Sequence, residues 1–153
     1  MAINPNTDFS SGAILTAAQQ NRFPRGVMAY NEVTASDATI TSEEVQITGS
    51  NFTAVANRYY RITYFEPTLL GSVAGTFQQR IRLTNLTGTL QQQSNVTMVV
   101  IGNAGAGTCS TVVTLTAGTQ NVVGTLQASA GTGNATRSAT SKAWLLVEDI
   151  GPA

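Results

Sequence analysis

Histidine is absent from the 153 residues. With it go the commonest general base, the Ser/His/Asp and Cys/His nucleophile systems, and the usual zinc and copper ligand sets. Serines and threonines are plentiful, but none has a visible activating base. Lys142 is the only lysine, and a Ser–Lys pair is the one nucleophile arrangement that spacing leaves open. Four of the eight acids form two adjacent pairs, Glu43-Glu44 and Glu148-Asp149. Neighbours on a strand point to opposite faces, so neither pair converges naturally on one substrate or ion. Each reads as a solvated strand end. The stretch GNAGAGTCS at 102–110 lacks the Gly-Lys-Ser/Thr ending of a phosphate cradle and sits between strands, so it reads as a hairpin turn. The lone Cys109 has no disulfide partner and reads as a small core hydrophobe. The expectation is a protein with no catalytic residues, no metal site and no cofactor.

The elements that would position these residues are mostly strands. Apolar and polar residues alternate with period two, most clearly in RYYRITYF at 58–65. Tyr60, Ile62 and Tyr64 share one face there, and Tyr59, Arg61, Thr63 and Phe65 the other. In FQQRIRL, Phe77, Ile81 and Leu83 oppose Arg80 and Arg82. Further strands are expected at Val27–Val33, Glu44–Val55, Val96–Ile101, Cys109–Thr116, Asn121–Gln127 and Ala143–Glu148. Gly-rich turns separate them. Seven or eight such strands predict an antiparallel, jelly-roll-like β-sandwich over residues 27–153. Residues 1–26 read as an anchoring arm with a short helix. Thr16 and Gln19 match a capping box, and Pro24 ends the helix before the turn Phe23-Pro24-Arg25-Gly26.

Composition narrows the function further. Charged residues make up 10% of the chain, against roughly 25% in an average domain. The polar positions go to Thr, Ser, Asn, Gln and Gly, whose neutral groups are easier to desolvate than ions. Such a surface suits packing against neighbours, although threonine also favours strands. The formal net charge is zero, and no basic stripe is present to neutralise phosphates, so nucleic acid is not expected as a partner. No apolar run is long enough for a membrane span, and MAINPNTDFSSG has no secretory pattern. The four Asn-x-Ser/Thr sequons, at Asn51, Asn85, Asn95 and Asn134, are what chance gives in so Asn- and Thr-rich a chain.

Adhesion residues can be nominated. Ile3, Phe9, Ile14, Leu15 and Phe23, with Arg25, punctuate an arm too short to bury them itself. Three expected strands, Glu44–Val55, Arg58–Phe65 and Ala143–Glu148, carry bulky residues on both faces, and exposed apolar faces mark contact surfaces. Tyr59, Arg61, Phe65, Arg80 and Arg82 are accordingly expected on a subunit or partner face. Arg58, Arg61, Arg80 and Arg82 could instead be outward strand polars paired with Glu32 or Glu66. Tyr59, Tyr64 and Trp144 are candidates for an exposed aromatic platform that would hold a carbohydrate.

Two segments together resemble a known family. SGAILTAAQQNRFPRGVMAY at the start and KAWLLVEDIGPA at the end are similar to the two ends of small tailed-bacteriophage virion proteins, and FTAVANRYYRITYF is similar to their middle. Members are described as head decoration proteins, minor tail proteins or fibre components, and trimeric jelly-roll-like domains are usual in these roles. The resemblance implies a homotrimer on the virion surface, made in the host cytoplasm, with the major capsid protein or tail proteins as partners. The first expectation is a capsid decoration protein, the alternative a tail-tip or fibre protein, and a carbohydrate-binding module ranks behind both. In the matching segments, Glu148 and Asp149 are expected to pair with Arg22 or Arg25 and tie the two ends of the domain together.

Overall fold

A computed structural model describes residues 16–98 and 105–153, together with Gly12 and Ile14. The architecture is an all-β sandwich preceded by one short helix, α1 (Ala17–Gln20). Thr16 caps α1 as its sequence predicts: the Thr16 hydroxyl accepts from the Gln19 amide, and the Gln19 side chain accepts from the Thr16 amide at 2.9 Å. This reciprocal satisfaction of end groups lets a single turn persist.

The larger sheet contains β1 (Gly26–Val33), β12 (Ala143–Pro152), β5 (Arg58–Gly71), β11 (Gly133–Ala135) and β2 (Asp37–Ile40) in that order, with β8 (Gly105–Thr114) on the other edge of β5. The smaller sheet runs β3 (Glu44–Thr48), β10 (Val122–Ala128), β6 (Gly75–Leu83), β7 (Leu90–Met98). A two-stranded piece pairs β4 (Phe52–Ala54) with β9 (Gly118–Gln120). The pairings are antiparallel throughout the described residues.

The core lies between the two sheets, where their period-two apolar faces meet. Tyr60, Ile62 and Tyr64 from β5 are fully buried, as are Phe77 and Ile81 from β6 and Leu126 from β10. The Tyr60 hydroxyl accepts from the Val55 amide at 2.8 Å, so its polar end is satisfied while its ring fills the core. At Gly124 the sheets approach so closely that a Cβ would lie 2.8 Å from both the Tyr64 ring and Ile47. Cys109 is buried here as expected, and burial pushes its thiol pKa up.

The segment expected as one strand, Glu44–Val55, is two. The chain leaves β3 at Gly49, whose amide donates to Val122 O at 2.8 Å, and re-enters the separate β4/β9 pair at Phe52. A side chain at Gly49 would meet Val122 O at 3.0 Å and Leu145 at 3.3 Å, so the crossover runs close against the core. The strand expected at Val96–Ile101 begins earlier, at Leu90, and the strand after it begins at Gly105.

Candidate adhesion surfaces

The register builds one outer face of the larger sheet row by row. Glu32, Trp144, Phe65 and Thr108 lie side by side across β1, β12, β5 and β8. The next row on that face is Tyr30, Leu146, Thr63 and Ser110, followed by Glu148, Arg61 and Val112. Tyr30, Val112 and Ile150 are exposed, and Trp144, Leu146, Phe65 and Tyr59 half-buried. The sequence nominated Tyr59, Arg61 and Phe65; the register adds Tyr30, Leu146 and Val112, which single-strand periodicity gives no reason to group with them.

The charges of this face are internally closed. Arg61 meets Glu148 at 2.7 Å, and Lys142 meets Glu32 at 2.5 Å. Glu32 also accepts from the Tyr30 hydroxyl at 2.8 Å, and the Lys142 hydrogen bond, with that of Tyr30, holds its carboxyl below the usual range. The Phe65 and Trp144 rings stack with centroids 5.4 Å apart at 23°. Beside them opens a hollow of about 490 Å³, whose lining includes Glu32, Pro67, Lys142 and Trp144. Tyr64, nominated for an aromatic platform, is fully buried and faces the core, so it cannot serve as one.

Arg80 and Arg82 do not join Tyr59, Arg61 and Phe65. They project from β6, on the outer side of the smaller sheet, and both are bound to Glu43 (3.1 and 2.6 Å). Thr125 donates to the same carboxylate at 2.7 Å. Burial works to raise the Glu43 pKa, but Arg82, Thr125 and Arg80 outweigh it and hold it low. Arg80 also donates to Gln93 at 2.6 Å and Gln127 at 3.0 Å. A guanidinium engaged this fully is structural rather than offered to a partner. The alternative pairing of the strand arginines with Glu32 or Glu66 does not occur either, because Lys142 and Arg137 hold those acids.

Each pole of β5 is fixed by a buried arginine. At one pole Arg58 grips Asp149 through Nε (2.5 Å) and Nη2 (2.7 Å), and donates to Asn21 O and Phe23 O at 2.6 Å each. The two ends of the domain are therefore tied, but through Arg58 and Asp149; Glu148 is taken by Arg61. Arg22 and Arg25 pair with neither acid. The fixed, forked donors of a guanidinium explain the choice, since Arg58 reaches a carboxylate and two carbonyls at once. At the other pole Arg137 donates to Glu66 (2.9 and 2.6 Å), to Gln46 Oε1 at 2.6 Å and to Ala35 O at 3.0 Å. The Tyr64 hydroxyl donates to Glu66 as well, and burial, then the Glu66 charge, drives the Tyr64 pKa well upward.

Of the nominated arm residues, Ile3, Phe9 and Leu15 lie outside the described residues. Ile14 is 91% exposed, and Phe23 is exposed. Arg25 lines a groove of about 360 Å³ with Arg22, Asn57, Arg58 and Pro152. Among the described residues no group of three or more His, Cys, Asp or Glu is placed to hold a metal, and no helix is long and apolar enough to cross a membrane.

No family model matches the chain, and no curated protein matches it. Solved structures resemble it at the level of shape. The Eiger TNF structure from S. frugiperda aligns with a TM-score of 0.46 and 10% identity, covering 86% of this chain and 94% of that one. The CsCBM6-3 structure from Clostridium stercorarium in complex with cellobiose aligns at 0.36 and 14%, covering 76% and 92%. The infectious bursal disease virus Gx strain structure aligns at 0.36 and 15%, covering 85% of this chain and 41% of that one.

Proposed function

We propose that this protein is a bacteriophage virion structural protein: a capsid decoration, or cement, protein on the outer head surface that bridges capsid subunits as a homotrimer. The observation that carries the adhesive part of this reading is the outer face of the larger sheet. It presents Tyr30, Leu146, Phe65, Trp144 and Val112 beside charges that already neutralise one another. Burying such a face against another copy strands no unpaired ion, the costly outcome in an interface. The virion assignment is supported by the resemblance of SGAILTAAQQNRFPRGVMAY and KAWLLVEDIGPA to virion proteins. A protein that binds the assembled shell and not free subunits stabilises the shell by mass action, and symmetry multiplies weak contacts.

Immunolabelling of intact particles tests location: label on the head supports decoration, and label at the tail tip replaces it with the tail reading. Light scattering tests assembly. A trimer is expected, and Val112→Asp should reduce it to monomer by placing an unpaired charge in the contact.

The hollow beside the Phe65–Trp144 stack favours a second reading, a carbohydrate-binding module. An exposed aromatic face takes a sugar ring, while Glu32 and Lys142 offer hydrogen bonds to its hydroxyls. Trp144 is the only tryptophan, so its fluorescence reports the site directly. Quenching by a sugar on a glycan screen, without affinity for capsids, would favour this reading.

A further inference from the structure

The charges of the described residues are distributed unevenly between the two poles of β5. Six of the eight cationic side chains are engaged: Arg58, Arg61, Arg80, Arg82, Arg137 and Lys142 all hold a carboxylate. The other two are Arg22 and Arg25, and neither guanidinium has a hydrogen-bond or ion-pair partner among the described residues. Both line the same groove at the Arg58 pole.

At the other pole the excess has the opposite sign. Among the described residues Asp37 and Glu44 form no ion pair. Arg137, near enough for the Asp37 charge to raise its pKa, is held by Glu66, and Asp37 accepts instead from the Thr39 amide and hydroxyl. The two carboxylates share the amide of Gln46, which donates to Asp37 at 2.9 Å and to Glu44 at 3.2 Å. Burial, then the neighbouring Asp37, raises the Glu44 pKa. Asp37 opposes Ala135, which in turn opposes Leu69 of β5. Leu69 stands eleven residues along from Arg58, about 36 Å at strand rise. Two cations and two acids that form no ion pair among the described residues thus sit at opposite poles of one neutral chain.

We infer that the Arg22/Arg25 groove binds the Asp37/Glu44 carboxylates of a second copy, joining molecules pole to pole. The geometry of the groove suits the task. Arg25 is exposed and Arg22 half-buried; each guanidinium is a planar donor fork, and two carboxylates are what two forks accept. The contact pairs different patches of the two copies, so it is heterologous and builds a ring or a row rather than a two-fold dimer. It goes beyond the proposed trimer, which uses the outer face of the larger sheet and has its own test in Val112→Asp.

Charge reversal with rescue tests it. One variant carries Arg22→Glu and Arg25→Glu, the other Asp37→Arg and Glu44→Arg, and each is followed by sedimentation velocity alone and in equimolar mixture. Wild type is expected to gain mass with concentration, each reversed variant to lose that step, and the mixture to regain it, because both new contacts are complementary. The step should fade as salt rises, since the screening length falls from about 30 Å at 0.01 M to about 3 Å at 1 M. Rescue also shows that both variants fold. If either reversed variant fails to fold, Arg25→Gln and Glu44→Gln serve instead, each weakening association by about two- to fivefold. The inference is overturned if wild type and mixture show no such step. It is also overturned if Asp8→Asn abolishes the step as fully as the arginine reversals, which would make Asp8, not Asp37 and Glu44, the carboxylate the arginines bind.

Discussion

Arg58 and Arg137 solve the same problem with different consequences. Each is a buried guanidinium bonded to a carboxylate and to backbone, two carbonyls for Arg58 and one for Arg137, near opposite ends of the longest strand. Arg58 holds the segment after α1 against the last strand, where its carbonyl partners belong to a short lead lying against the sandwich. Arg137 ties an exposed loop to buried residues of two strands: Ser36 and Ala35 before β2, Gln46 in β3, and Glu66 with Tyr64 in β5. Removing either arginine strands a fully buried carboxylate, Asp149 or Glu66. Asn21 and Phe23 beside Arg58, however, are exposed and let water reach that pole, whereas Gln46 and Tyr64 beside Arg137 are buried. The comparison teaches that an ion pair's cost of removal is set by the escape routes of the groups left behind.

The largest effect should therefore come from Arg137→Ala. Stranding Glu66 costs about 3–5 kcal/mol, a fall of roughly 6–20 °C in midpoint for a domain of this size, readable by thermal melts. Arg58→Ala strands the equally buried Asp149 but should fall at the low end of that range, about 3 kcal/mol, because water can enter beside the exposed Asn21 and Phe23. Equal losses in the two variants would break the comparison. Amide exchange should sharpen it: Arg58→Ala is expected to speed exchange at Arg22 and Phe23 selectively, while Arg137→Ala raises exchange across the core.

A smaller effect of opposite sign is expected at Glu44. Its folded pKa is raised, so its contribution is most favourable below the usual carboxylate pKa and is lost as pH rises through the folded value. Glu44→Gln should then stabilise by about 0.5 kcal/mol, or about 1–2 °C, near pH 7 and lose that advantage near pH 4. Glu43 behaves conversely: its lowered pKa gives stability present above the usual carboxylate value and lost as pH falls through the folded one. The smallest effect belongs to Arg61→Ala. Its side chain is half-exposed, and the pair with Glu148 contributes under about 1 kcal/mol. A change of several degrees there would mean the face is already buried in an oligomer in solution.

How much of this was legible in the sequence follows the range of the interactions. The helix cap was readable because Thr16 and Gln19 satisfy each other three residues apart. The faces of β5 were readable because burial alternates along it. Leu90–Asn95 was not, because β7 is the edge strand of its sheet, and much of its LQQQSN run is exposed on both faces. The three-residue strands β9 and β11 and the Asp37–Ile40 strand are too short and polar for a period to show. The ion pairs were out of reach: Arg58 and Asp149 are separated by 91 positions, and Arg137 and Glu66 by 71. Only pairing register brings them together. The same limit misplaced Arg80 and Arg82, whose alternation was read correctly but whose sheet was not.

The Arg58 clamp also decides where the polypeptide enters and leaves. Pro152 opposes Arg58 across the last ladder, the Ala153 amide donates to Asn57 O at 2.9 Å, and Ala18 and Pro152 border one groove. Entry and exit thus share a single pole, so a short Gly/Ser bridge from residue 153 back to Thr16 would span little distance. The scaffold is suited to circular permutation with new ends opened in the Asn85–Gly88 turn, and a cargo fused at residue 153 would emerge beside Arg22 and Arg25.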